Sequence, residues 1–439
     1  MEKLIQISIK PGQDKKFRQG QPWVFDYDIS ETPRELRDGS LVEIRTSKSE
    51  FIGRGYWNSQ SKINARIVSF DSRENDLLEG GFFVRRLQAC WGRRKQDGFD
   101  GSFRLCFGEG DYLPGVVIDY YLCRQKDLQF QTFVIQTTTL GIDRAFQRGN
   151  FGWENIIKLL LEEGLPQALP LDKTCVVLRN DVGARKYEGL EEEQPRMVHG
   201  PREVDITKTE IAINDLSGQG NAKELVWLKA DLLNGQKTGF FLDQTRNIQR
   251  LLTYLKGRPR SEGKVRVLDL CCYLGHWSTQ LAHYFKAAGV DAEFHLVDVS
   301  EKALEMAEAN VVQFGFSVIK LKRDVLKDMD DFQNDSFDIV ICDPPAFIKS
   351  KKDLPQGQHA YTKLNRRACD LTKPNGLMVS CSCSGLLTME LFKQVLIKAQ
   401  ESFVPRWRLV EEGGLPPDHP RHLGFSEGAY LKMFLFEKN

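Results

Sequence analysis

From residue 264 onward, short apolar runs rich in β-branched residues alternate with longer stretches whose apolar positions recur every three or four residues. KVRVLDL (264–270), EFHLVDV (293–299), SVIKLKRD, FDIVICD and GLMVSCS read as strands. Helices are expected from about Trp277 to Ala288, after the N-cap Ser300 (EKALEMAEANVVQF), and after Thr388 (MELFKQVLIKAQ). Strand and helix in strict alternation predict a doubly wound α/β domain, a Rossmann-like, mostly parallel sheet with helices on both faces. WRLVEEGG and YLKMFLFEK follow with no helix between them and should pair antiparallel.

The N-terminal part has a different rhythm. LIQISIK, SLVEIRT, FIGRGYW and INARIVSF are short strands between turn signals, a small β-rich module over 1–75. Residues 76–200 mix a helix (FFVRRLQACWGRRK) with the strands GVVIDYYL and FQTFVIQT, as an α+β linking domain. They include the acidic run Glu188–Glu193, expected as a solvated loop. The α/β domain is then 201–439.

Composition narrows the functional classes. Sixty-one Lys+Arg against 60 Asp+Glu leave a net charge of +1, so any nucleic-acid contact must be local rather than a basic coat. Ten cysteines occur with no C-x-x-C pair and no secretory leader, which predicts reduced thiols in the cytoplasm and no structural zinc. No apolar run is long enough to span a membrane. Gly53-x-Gly55 lacks a third glycine and a following helix, so it is no dinucleotide fingerprint, and Gly218-x-Gly220 fails the same way; Gly257–Gly263-Lys264 resembles a P-loop but has five residues between its glycines, Val265 where Ser/Thr is needed, and precedes its strand.

In open α/β sheets ligands bind beyond the carboxyl ends of the strands. Those ends here read Asp269–Gly275, Asp298, Asp324, Asp343-Pro344-Pro345 and Cys381-Ser382-Cys383-Ser384. Each Asp alone could be a turn or cap residue. As an ordered set they suit S-adenosylmethionine (SAM). Asp298 can accept both ribose hydroxyls and Asp324 can meet the adenine amino group, while Asp269 and the Cys271–Tyr273–Gly275 turn approach the amino-acid end. In the DPPAF turn two prolines stiffen the backbone, Asp343 can hydrogen-bond a base edge, and Phe347 can stack on a base. A thiol at the fifth strand end has a chemical reason. Carbon 5 of a pyrimidine is a poor nucleophile until a thiolate adds to carbon 6. Spacing alone leaves Cys381 and Cys383 both open as that thiol.

Taken together, QKTGFFLDQTRNIQRL (236–251), VLDLCCYLG (267–275), DVSEKALEMAEAN (298–310), FDIVICDPPAFIKSKKDL (337–354), SCSGL (382–386) and EGAYLK (427–432) resemble the bacterial 23S rRNA cytosine-C5 methyltransferases that carry an N-terminal PUA domain. KPGQDKKFRQGQPWVF (10–25), FIGRGYWNSQSKINARI (51–67), FGEGDYLPGVVIDYY (107–121) and RKYEGL (185–190) extend the resemblance over essentially the whole chain. It implies Cys383 as nucleophile, Asp343 as the residue contacting base and cofactor, and Lys237 and Asp243 over the cofactor. RNA would meet Phe347, Lys349 and Lys351 at the active site, and Lys15, Lys16, Arg18 and Arg54 on the PUA face. The implied substrate is 23S rRNA, naked or partly assembled, because base chemistry requires an unpaired or flipped nucleotide. No membrane or metal is implied, and no pattern assigns an oligomeric state.

Two other readings stay open. A methyltransferase acting on a guanine nitrogen would need no thiol. A non-catalytic rRNA-binding assembly factor with a degenerate SAM pocket is suggested by the single glycine in Cys271–His276.

Overall fold

The computed structural model describes residues 4–77, 79–149, 151–218, 224–258, 263–403 and 407–439. The Gly218-x-Gly220 and Gly257–Gly263 stretches therefore lie partly outside the described residues. The chain forms two units, Met1–Ile211 with Asp231–Phe240 and Pro417–Gly428, and Ala212–Ala230 with Phe241–Pro416 and Ala429–Asn439.

In the first unit the N-terminal β-rich module is a sheet whose strands run in the order Trp23–Phe25, Ile63–Ser69, Phe51–Trp57, Leu41–Thr46, Ile5–Ile9, Ile29–Glu31. Ile7, Val24, Ile44, Ala65 and Ile67 fill its interior. Gly55 has a packing reason: a Cβ there would stand 2.1 Å from the carbonyl oxygen of Arg66 on the neighbouring strand. Next comes a hairpin of two ten-residue strands, Val116–Gln125 and Leu128–Thr137, turning at Lys126 with φ +54°. The helix Gly80–Gln96 contributes Phe83, Leu87 and Trp91 to the same core. The acidic run departs from expectation. Glu188, read as part of a solvated acidic loop, is 3% exposed; it accepts from Arg66 at 2.8 Å, Ser61 at 2.7 Å and Asn58 at 3.0 Å. A buried carboxylate with three donors is held in place by them.

The second unit carries the doubly wound sheet: β1 (Val265–Leu270), β2 (Ala292–Asp298), β3 (Ser317–Lys322), β4 (Phe337–Cys342), β5 (Thr372–Ser382), β6 (Trp407–Gly413) and β7 (Lys432–Lys438). Their order is β3-β2-β1-β4-β5-β7-β6, parallel from β3 to β5, with β7 antiparallel to both neighbours. Among the described residues this unit has five α-helices: α1 (Thr245–Lys256), α2 (His276–Ala288), α3 (Glu301–Val312), α4 (Leu354–Leu371) and α5 (Met389–Gln400). The expected caps are in place. Ser300 Oγ accepts from Ala303 N at 3.3 Å and Thr388 Oγ1 from Leu391 N at 3.2 Å. Alternation along the strands feeds two cores. Ile339, Ile341, Val379 and Cys381 join one, and Val340, Cys342 and Met378 the other. Register aligns Leu270 with Val297 and with Cys342, and Cys342 with Ser380. The carboxyl ends of β1, β2, β4 and β5 thus share one edge, and the strand order reverses at β1 and β4.

Candidate active site

The turn after β1 is built from backbone that side chains normally avoid. Cys271, Tyr273 and Gly275 have φ of +63°, +49° and +73°. Two non-glycine residues in the left-handed region store strain, and strain of this kind persists only where surrounding bonds impose it. Here Tyr273 N donates to Asp298 Oδ2 at 3.0 Å, Cys272 N to Val297 O at 3.0 Å, and Asn310 Nδ2 to Leu274 O at 3.0 Å. Gly275 is required by proximity as well as φ, since a Cβ would come within 3.1 Å of Ala307 Cβ on α3. Leu274 and His276 are buried, and burial lowers the imidazole to about 4, so the ring is neutral.

Asp269 is 1% exposed and accepts from Ser278 Oγ at 2.6 Å through Oδ2. Its Oδ1 is buried without a hydrogen-bond partner among the described residues. Burial, reinforced by the charges of Asp343 and Asp298, pushes this carboxyl up to about 7. An orphaned acceptor below a backbone turn suits a cationic amino group. Asp298, at the end of β2, takes Tyr273 N and Ser300 N on its two oxygens. Asp324 follows β3, takes Leu326 N at 3.0 Å, and is held below the usual carboxylate range by its hydrogen bond from Lys327. Asp243 is 4% exposed and accepts from the Tyr430 hydroxyl at 2.6 Å. Lys237, with φ +53°, belongs to the first unit.

After β4, Asp343 Oδ2 accepts from Gln244 Nε2 at 2.8 Å and Trp277 Nε1 at 3.0 Å. The Cys383 thiol lies 3.9 Å from Pro344 O and is part-exposed. Cys381 is wholly buried, and burial raises its thiol well above the ordinary value. Strand alternation left these two cysteines open; exposure separates them, because strand β5 ends at Ser382 and Cys383 is already outside it. Phe347 is part-buried, its ring 4.7 Å from that of Tyr361, and Ser384 Oγ accepts from Ile348 N at 3.2 Å and meets the Tyr361 hydroxyl at 3.0 Å. The DPPAF turn and the SCSG turn are tied together by these bonds. Lys349, Lys351 and Lys352 follow on the surface.

On the N-terminal module, Lys15 and Arg18 are exposed, Arg18 pairing with Asp14 at 3.2 Å and Glu50 at 2.5 Å. Lys16 pairs with the buried Asp28 at 2.7 Å. Arg54 corrects the expectation placed on it. It is 8% exposed, bound to Glu43 Oε2 at 2.9 Å, and also bonded to Ser72 O and Asn75 Oδ1. A guanidinium so committed faces its own module rather than a ligand.

Pattern reading of the strand ends singled out Asp343, Cys383 and Ser384 but not the side chains behind them: Gln244, Trp277, Tyr361, Tyr430 and Lys432. Gln244 and Lys432 sit inside segments singled out in the sequence, which was the available signal.

Residues 7–70 match the model of a PUA-like domain, and residues 261–410 that of a methyltransferase domain. The chain is 31% identical over 435 residues to the ribosomal RNA large subunit methyltransferase I of Aeromonas hydrophila, covering 97% of each. It is also 31% identical over 445 residues to that of Aliivibrio fischeri, covering 98% of each. A Streptococcus mutans structure described as a SAM-dependent methyltransferase shares the fold, with a TM-score of 0.71 and 18% identity over 99% of this chain and 100% of that one. A methyltransferase structure complexed with SAH gives 0.72 at 18% identity, again over 99% and 100%.

Proposed function

The chain belongs to the ribosomal RNA large subunit methyltransferase I family, and from that membership we propose that it methylates carbon 5 of a cytosine in 23S rRNA, using SAM and the Cys383 thiol. The observation that carries the reading is the meeting of a part-exposed thiol with the Asp343–Pro344 turn at the carboxyl edge of the sheet, Cys383 Sγ standing 3.9 Å from Pro344 O. Nitrogen methylation needs no such thiol; carbon 5 does.

Cys383 adds its sulfur to carbon 6 of the cytosine, and the electron pair of the C5–C6 bond is drawn to carbon 5. Bound SAM supplies an electrophilic sulfonium methyl. Methyl transfer to carbon 5 would release S-adenosylhomocysteine; the carbon-5 proton would then pass to water or a base, its C–H electron pair re-forming the C5–C6 double bond as the S–C6 bond breaks to return the Cys383 thiolate. Asp343, its carboxylate oriented by Gln244 and Trp277, holds the base edge while charge develops on the ring. For the cofactor, Asp298 would hold the ribose hydroxyls, Asp324 the adenine side, and Asp269 Oδ1 the amino group over the Cys271–Tyr273–Gly275 backbone, with Asp243 over the cofactor. The unpartnered, buried Oδ1 is what makes that donor set fit a cationic ligand.

Residues 1–75 would grip RNA through Lys15, Lys16 and Arg18, 76–200 would link, and 201–439 would catalyse, with Phe347, Lys349 and Lys351 at the flipped base. Naked or partly assembled rRNA in the cytoplasm is the substrate form this chemistry favours. Among the described residues no helix is long and apolar enough to cross a membrane.

The test is methyl transfer from labelled SAM to unmodified naked 23S rRNA, with the product nucleoside identified by mass spectrometry. 5-Methylcytidine supports the reading. A methylated guanine overturns it in favour of nitrogen chemistry, and a chain that neither transfers methyl nor binds SAM would be an assembly factor.

A further inference from the structure

Lys432 opens β7 and pairs in register with Ser382, the last residue of β5. Its side chain does not reach solvent: the residue is 3% exposed. The ammonium donates to Ser384 O at 2.7 Å and Tyr430 O at 2.8 Å. Those carbonyls belong to the residue after Cys383 and to the residue whose hydroxyl holds Asp243. Among the described residues no carboxylate pairs with this ammonium, which is bonded to two neutral carbonyls, and its burial lowers it to about 8. The carbonyl of Ser384 puts the ammonium one residue from Cys383, and a negative charge on that thiol favours the charged lysine.

We propose that Lys432 is the positioning residue of the Cys383 nucleophile: clamped on Ser384 O and Tyr430 O, its ammonium sets the strand exit that presents the thiol and stabilises the thiolate electrostatically. The proposal rests on Cys383 being the nucleophile. A cation beside a cysteine lowers the thiol's pKa and so enlarges its reactive fraction at neutral pH. Other titratable groups in the surroundings do not replace it. Asp343 is an acid after β4, and a negative charge there disfavours a second one; Tyr361 on α4 and Cys381 on β5 are neutral at pH 7, burial raising both. The same clamp gives Ser384 its place, and Ser384 in turn fastens the DPPAF turn through Ile348 and Tyr361. Lys432 therefore bears on both turns that meet at the base without touching substrate.

The experiment measures the rate of iodoacetamide alkylation at Cys383 in the full chain between pH 5.5 and 9.5, resolved by peptide mass spectrometry, for the wild type, Lys432→Met and Lys432→Arg. The wild-type thiol should titrate below the ordinary value of about 8.5. Lys432→Met should raise that midpoint by a unit or more and slow alkylation at pH 7 about tenfold, while Lys432→Arg restores most of the rate. In methyl transfer the Met variant should lose kcat with KM for RNA little changed. Superimposed profiles for wild type and Lys432→Met overturn the proposal. If the Met variant does not fold, a wild-type midpoint at or above 8.5 overturns it alone, and one below 8.5 that Lys432→Arg preserves supports it. Failure of the underlying reading looks different: Cys383→Ala would then retain methyl transfer whatever the alkylation profiles show.

Discussion

Gln244 donates through Nε2 to Asp343 Oδ2 across 2.8 Å, from a segment 99 residues earlier in the chain. Trp277 adds a second donor to the same oxygen, and Asn247 Nδ2 in turn bonds Gln244 Oε1 at 2.7 Å. Asp343 is therefore oriented before any base arrives. Gln244→Leu and Trp277→Phe should each lower kcat for methyl transfer by about ten- to a hundredfold with a smaller effect on SAM affinity. Calorimetric SAM titration beside steady-state kinetics checks this, and an unchanged kcat in both variants would remove Asp343 orientation from the mechanism.

The carboxyl of Asp269 gives a stability signature. Its pKa rises from an ordinary value near 3.8 to about 7 in the folded protein, chiefly through burial. The folded state then binds more protons than the unfolded one between these values, so this group's stabilisation is complete below pH 4 and is lost as pH climbs toward 7. His276 acts oppositely over pH 4 to 6.5, its folded pKa being lowered. The melting-temperature difference between wild type and Asp269→Asn isolates the first group. That difference should shift steadily against the wild type as pH rises from 4.5 to 7.5, whereas a flat difference would show that Asp269 does not titrate there.

Arg54 and Lys15 separate packing from RNA contact. Removing Arg54 takes one of two arginines from the buried Glu43, whose other oxygen keeps Arg45 at 2.6 Å, and should cost about 1–3 kcal/mol of stability. Lys15 is exposed, so Lys15→Glu should leave the melting temperature unchanged, weaken RNA binding and flatten its salt dependence. Denaturant unfolding and filter binding at two salt concentrations check the pair. Equal stability loss in both variants would contradict the assignment.

The strand ends were legible because Asp269, Asp298 and Asp343 close apolar, β-branched runs, and the order of those runs already implies which edge they share. The two caps, Ser300 and Thr388, were legible for a similar reason: a hydroxyl just before an amphipathic stretch has one obvious donor to satisfy. What stayed hidden depends on partners far away in the chain. Tyr430 reaches Asp243 and Trp277 reaches Asp343 across 187 and 66 residues, and no local pattern carries such pairings. Arg54 was misread because a cation in a short strand looks solvent-facing until its cross-strand neighbour is known to be Glu43. Which of Cys381 and Cys383 lies outside the core also needed the structure, since β5 ends at Ser382.

The central claim is a covalent bond between Cys383 and the target cytosine. It is tested by incubating the chain and SAM with 23S rRNA transcribed with 5-fluorocytidine, whose carbon 5 has no proton to lose, so that the S–C6 bond persists after methyl transfer. The account predicts a denaturation-resistant protein–RNA adduct whose cross-linked peptide contains Cys383 and which is absent from Cys383→Ala. An adduct carried by Cys381, or methyl transfer to this RNA with no adduct, would contradict it.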